Sequence, residues 1–227
     1  MRTLAIGDLH GCSRALDTLL AMVGPRPKDQ VVTLGDYVDR GPDSCGVIER
    51  LLRLRRASRL IALRGNHDQM MVGARQGAFS TAEWLARGGR QTLDSYSVPG
   101  VGGRRVEVPE EHWDFLENAL VNWHETDTHF FVHANVYPDL PLQDQPTYML
   151  LWEFLHDPAP HCSGKVMVCG HTSQKSGRPL NLGHAICIDT RAYAGGWLTC
   201  LDVTSGKVWQ ANQRGEQRTA WVDDFAA

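Results

Sequence analysis

Three short apolar runs, "TLAI" (3–6), "VVTL" (31–34) and "LIAL" (60–63), each lead into glycine, at once or after a single arginine, and then into polar residues. Between them, the segments from Ser13 to Val23 and from Cys45 to Arg56 carry apolar residues at helical spacing. Strand, loop, helix, strand is the alternation of a parallel α/β sheet. In such sheets the functional loops lie at the carboxyl ends of the strands, so the polar clusters that end these runs are placed to converge.

The rest of the chain is less regular. "STAEWLARGGRQTLDSY" (80–96) and "PEEHWDFLENAL" (109–120) predict helices, the second with Pro109 near its start and Glu110 and Glu111 in its first turn. "HFFVHA" (129–134) and "KVMVCGHT" (165–172) predict strands that end in histidine. "HAICIDT", "GWLTCLDV" and "KVWQA" predict a meander that completes a second sheet. No internal repeat or low-complexity linker divides the chain, and its 227 residues fit one core, so a single domain over residues 1–227 is expected.

Composition narrows the function classes. Hydrophobic residues at 42% and charged residues at 22% are the usage of an ordinary globular protein. No run of about 18 apolar residues occurs and the N-terminus has no signal-peptide core, so no membrane partner is expected. The formal net charge of −3 gives no electrostatic reason for nucleic-acid binding. The basic stretch "RLLRLRRASR" (50–59) reads as the solvated face and end of a helix. Cys12, Cys45, Cys162, Cys169, Cys187 and Cys200 lie far apart with no C-x-x-C pair, which predicts reduced thiols and a cytoplasmic location.

The strand ends carry the chemistry. "GDLHG" contains Asp8 and His10; "GDYVDRG" contains Asp36, Asp39 and Arg40; "GNHD" contains Asn66, His67 and Asp68; "VHA" and "GHT" contribute His133 and His171. Singly, Asp8 reads as well as a helix cap, Asp36 as a turn residue, and each histidine as a hydrogen-bonded core residue. Together, carboxylates, imidazoles and an amide oxygen at successive strand ends form a donor set for two divalent metals that share a bridge.

In this order the motifs resemble the signature of the phosphoprotein phosphatase family of metallophosphoesterases, which holds eukaryotic serine/threonine phosphatases, phage lambda phosphatase and bacterial symmetrical diadenosine tetraphosphatases. The matches run from Gly7 to Thr172. The resemblance implies an α/β sandwich of two mixed sheets flanked by helices, a single calcineurin-like domain with a dinuclear site at the strand ends. One metal would be held by Asp8, His10 and Asp36, the other by Asp36, Asn66, His133 and His171. Asp36 would be the bridge, its charge compensated by both ions.

Two such metals can orient a hydroxide and clamp phosphoryl oxygens for in-line displacement. No nucleophile motif such as G-x-S-x-G occurs, so direct attack without a covalent phosphoenzyme is expected. By the same resemblance His67 protonates the leaving group, Asp39 orients His67, and Arg40 binds the substrate phosphate along with Asn66. Asp39 reads alternatively as a salt-bridge partner of Arg40. Manganese is the metal the resemblance favours, with iron, zinc and cobalt open.

The match weakens at "MLLWEFLHD", where the family's second phosphate-binding arginine is absent and Glu153 and Phe154 follow Trp152. Arg191, in "IDTRAYAGG", is the expected substitute, or else a surface arginine beside a turn. "VDRG" favours the bacterial and lambda-type phosphatases, and so phosphoserine and phosphothreonine. Dinucleoside tetraphosphates and other small phosphoesters stay open, as does an inert metal-bearing protein that binds a partner.

Overall fold

The computed structural model describes residues 1–100 and 103–226. Strands β1 (Thr3–Ile6), β2 (Gln30–Thr33) and β3 (Arg59–Ala62) lie side by side and parallel, connected through helices α1 (Ser13–Val23) and α2 (Ser44–Ala57). Ile6 pairs with Thr33 and Thr33 with Ala62, which sets the three carboxyl ends level. Helix α2 begins where its N-cap Asp43 accepts the Gly46 amide at 2.9 Å.

Helix α3 (Asn66–Gln76) follows β3 directly. The helix expected over 80–96 is interrupted. A wide π-type turn over Leu85–Gly89, with Gly88 at φ +118°, separates α4 (Thr81–Trp84) from α5 (Arg90–Ser95). A side chain would strain that conformation. A hairpin of β4 (Ser97–Gly100) and β5 (Gly103–Val106) then precedes α6 (Glu110–Asp114).

The second sheet holds β6 (Trp123–Glu125), β7 (His129–Val132), β8 (Val166–Cys169), β9 (Leu180–Asn181) and β10 (Ala185–Cys187) in the order β6-β7-β8-β10-β9. Within it β7, β8 and β10 are parallel, while β6 and β9 close the edges antiparallel. Leu150 and Leu151 of α7 (Thr147–Trp152) join the core on one face of this sheet.

The later strands depart from the sequence reading. Of the expected meander only β10 enters the second sheet; β11 (Leu198–Asp202) pairs antiparallel with β1 and extends the first sheet through β12 (Lys207–Ala211) and β13 (Gln217–Trp221). The reason is the free edge of β1. That sheet grows from β1 toward β3 on one side only, and Leu201 and Val208 bury into the space between the sheets while Leu198 and Cys200 join the core on the opposite face, where α1 packs.

This division explains why the strands read as continuous apolar runs. In β1, Leu4 and Ile6 pack toward the helices and Ala5 toward the other sheet; in β8, Met167 and Cys169 face outward and Val168 inward. Both faces are covered, so both parities are apolar. The two mixed sheets therefore form a sandwich with helices outside. Of the tail "WVDDFAA", Trp221 ends β13 and Val222–Phe225 make one 3₁₀ turn, fastened by Asn181 Nδ2 donating to the Val222 carbonyl at 3.1 Å, while Ala227 lies outside the described residues.

Candidate active site

The carboxyl ends of β1, β2 and β3 in one sheet and of β7 and β8 in the other deliver Asp8 and His10, Asp36, Asn66 and His67, His133 and His171 to one place. Seven described residues other than glycine have a positive φ, and five of them are His10, Asp36, Asp39, Arg40 and His171. Backbone strain of this kind persists only where the surroundings fix it. Here the fixing groups are visible. A Cβ at Gly65 would collide with the Asp36 carboxylate and amide, so β3 turns close over Asp36 only because Gly65 lacks one. Asp68 ties the same two loops, accepting the Gly65 amide at 2.9 Å and the Tyr37 amide at 3.0 Å.

Two groups of donors form. His10, Asp36 and His67 bring ligand atoms within 4.8 Å of one another, and so do Asp36, His133 and His171. Asp36 belongs to both. His10 Nδ1 donates to the Val38 carbonyl at 2.8 Å and His133 Nδ1 to the Leu34 carbonyl at 2.7 Å, which turns both Nε2 atoms inward. Such outer partners fix the tautomer that a metal needs. His171 is reversed: its Nε2 donates to the Trp152 carbonyl at 3.1 Å, leaving Nδ1 for a ligand. Asn66 Oδ1 lies 3.1 Å from His133 Nε2, and Asp8 accepts the His171 amide at 3.1 Å.

The electrostatics match the same reading. Burial, Asp189 and Asp36 push the Asp8 carboxyl well above the usual range. Burial acts on Asp36 in the same sense, but His133, His67 and His10 outweigh it and hold that carboxyl well below. Burial and His133 draw His171 down to about 4. Buried carboxylate oxygens, imidazole nitrogens and an amide oxygen gathered at one point suit divalent cations, and the donor set fits them.

His67 has a different attachment. Its Nδ1 sits 2.7 Å from Asp39 Oδ2, and fully buried Asp39 also accepts Trp84 Nε1 at 3.0 Å and the Thr92 hydroxyl at 2.7 Å. Asp39 is thus joined to His67 rather than to Arg40, whose Nη1 lies 2.8 Å from His10 Nε2. Burial lowers the His67 pKa against the pull of Asp36 and Asp39. Nothing in the sequence marked Trp84 or Thr92, since both reach Asp39 from a distant helix and a kinked segment.

A cleft of about 390 Å³ opens over the site, lined by Arg40, His67, Arg87 and Lys175 on its polar side and by Trp152, Phe154 and Tyr193. Arg191 is not among its lining residues; Tyr193, two residues on, is. The Arg191 amide donates to Asp189 Oδ1 at 2.9 Å in a left-handed turn.

A model of the calcineurin-like phosphoesterases matches residues 1–177. The chain belongs to that family. Serine/threonine-protein phosphatase 1 of Salmonella typhimurium is 45% identical over 85 residues, 37% of this chain and 37% of that protein. A symmetrical bis(5'-nucleosyl)-tetraphosphatase of Janthinobacterium sp. is 32% identical over 142 residues, 61% of this chain and 45% of that one. The matched stretches cover less than half the length of the curated relatives. Among solved structures, one named provisionally as a diadenosine tetraphosphatase superposes with a TM-score of 0.69 at 21% identity, over 97% of this chain and 94% of the other. Calcineurin-like phosphoesterases use divalent metal ions, and two candidate ligand clusters for such ions are present here. Among the described residues no helix is long and apolar enough to cross a membrane.

Proposed function

We propose that the chain is a cytoplasmic phosphomonoester hydrolase that removes phosphate from phosphoserine and phosphothreonine by direct displacement. The observation that carries this reading is the 2.7 Å bond between His67 Nδ1 and Asp39, with Asp39 itself held by Trp84 and Thr92. With Nδ1 committed, His67 presents Nε2 to the cleft, where it can give a proton to the departing alkoxide oxygen. Asp39 keeps the ring in that orientation and favours its charged form.

Arg40 offers a planar fork to two phosphoryl oxygens, and Asn66 shares that phosphate. Asp8, His10 and Asp36 would hold one divalent ion and Asp36, Asn66, His133 and His171 the other, with manganese the metal of choice. Bound there, such ions polarise phosphoryl oxygens and acidify water. Among the described residues the cleft lining contains no cysteine, and its serine, Ser173, donates to Asp189 at 2.6 Å rather than to an imidazole, which supports displacement without a covalent intermediate.

A second reading, hydrolysis of dinucleoside tetraphosphates, draws support from Phe154, whose half-exposed ring stacks on His171 with centroids 4.9 Å apart and could receive a base. The test is kcat/KM of manganese-loaded protein on a phosphothreonine peptide and on diadenosine tetraphosphate, with His67→Asn as the blank. Faster peptide turnover is expected. Faster nucleotide turnover would replace the first reading with the second, and no turnover of either with metals bound would leave a binding protein.

A further inference from the structure

The sequence lacks an arginine after Trp152, and Glu153 stands near where that arginine would be. The fold removes the conflict without supplying the cation. The Glu153 carboxylate accepts the Tyr148 hydroxyl at 2.5 Å and is not part of the cleft lining, whereas Phe154 is. Among the described residues three cations line the cleft, Arg40, Arg87 and Lys175, and no carboxylate does. Among the described residues the exposed side chains of Arg87 and Lys175 make no ion pair or hydrogen bond. Like charges gathered on the walls of a cleft repel one another, and a bound dianion relieves that repulsion.

Arg87 is the better positioned of the two. It lies on the π-type turn, one residue before Gly88, whose carbonyl accepts the Arg40 amide at 3.2 Å. A Cβ at Gly88 would come within 2.7 Å of the Arg40 amide and 2.9 Å of its Cγ, so this turn packs directly on Arg40. Three residues upstream, Trp84 is anchored to Asp39. The turn that carries Arg87 is therefore fastened at both ends to the groups proposed to bind phosphate and to orient the acid.

We propose that Arg87 supplies the second cation to the scissile phosphoryl group, in the role expected of Arg191, and so makes the cleft selective for phosphate monoesters over diesters. A monoester dianion presents three terminal oxygens and two negative charges to Arg40 and Arg87 together. A diester presents two terminal oxygens and one charge, which Arg40 alone can satisfy. The inference rests on the phosphoester-hydrolase reading of the same site.

The experiment measures kcat/KM of manganese-loaded protein on p-nitrophenyl phosphate and on bis(p-nitrophenyl) phosphate. Arg87→Ala is expected to lower monoester turnover about tenfold to a hundredfold, the worth of one charge-assisted contact, and diester turnover by much less. Arg87→Lys, which keeps the charge but loses the fork, should recover part of the monoester loss. Equal losses on both substrates, or a normal Arg87→Ala alongside a crippled Arg191→Ala or Lys175→Ala, would overturn the assignment. Failure of the unaltered protein to turn over either substrate would instead remove the hydrolase reading itself.

Discussion

Trp84 donates its indole N–H to both oxygens of Asp39 at 3.0 Å, and Asp39 in turn holds His67 at 2.7 Å. A buried carboxylate with three side-chain donors has one orientation available, and the imidazole inherits it. Trp84→Phe keeps an aromatic ring in the core but removes the N–H donor together with the fused five-membered ring. It should cost about 1.5–3 kcal/mol of stability for the lost hydrogen bond to a charged group, with a further cost for the space left by the smaller ring, and lower kcat about tenfold as His67 loses alignment. Steady-state kinetics check it, with KM close to that of the unaltered protein. A full kcat would mean that Thr92 alone orients Asp39.

Gly65→Ala tests the strained turn. The added methyl would occupy the place of the Asp36 carboxylate and amide. Because Asp36 belongs to both donor groups, the expected outcome is a loss of about 10- to 100-fold in manganese affinity, measured by calorimetric titration, the scale seen when ligand-positioning contacts are removed. Gly77→Ala is the control for a glycine in open space: its φ of +74° carries a conformational cost, but no atom lies within 4 Å of the new methyl and the metal site is untouched.

How far these features are legible in the sequence depends on how far apart the partners lie. Asp8, His10, Asp36, His133 and His171 each follow an apolar run within a few residues, so a local pattern reveals them. The boundaries of β2 and β3 fall one residue before the expected runs, since Leu34 and Leu63 are buried beyond the last paired residue. The pairing of β1 with β11 joins Leu4 to Asp202, a choice made by which sheet edge is free and by nothing near either strand. Trp84 and Thr92 reach Asp39 across 45 and 53 residues. The kink at Gly88 turns an apparent helix into the support for Arg40, and so hid Arg87 from a reading based on periodicity.

Metal removal has a stability consequence. Ligands that bind only the folded state stabilise it by mass action, about 2.7 kcal/mol at a free concentration a hundredfold above Kd. For a chain of this size that corresponds to a rise of roughly 5–10 °C in Tm. Manganese added to chelator-treated protein should produce such a shift, and Asp36→Asn should abolish most of it. Calorimetric scans in matched buffers decide, and an unchanged Tm would argue against metal binding at these residues.

Acid stability has a separate source, away from the metal ligands. Buried Asp29 accepts the Arg2 amide at 3.0 Å, Arg2 Nε at 3.0 Å, Arg2 Nη2 at 2.5 Å and the Arg26 amide at 3.0 Å. Burial alone would raise its carboxyl, but Arg2 and the Arg26 amide outweigh burial and hold it well below the usual range. A carboxyl depressed by folding contributes its full stabilisation above the unfolded-state value of about 4 and loses it as pH falls through that value toward the folded one. Asp29→Asn, which removes the charge and one acceptor, should cost about 2–3 kcal/mol at pH 6. Urea unfolding at pH 6 and at successively lower pH should show the gap between the two proteins narrowing once the pH drops below about 4. A gap constant with pH would mean that Asp29 acts through packing rather than charge.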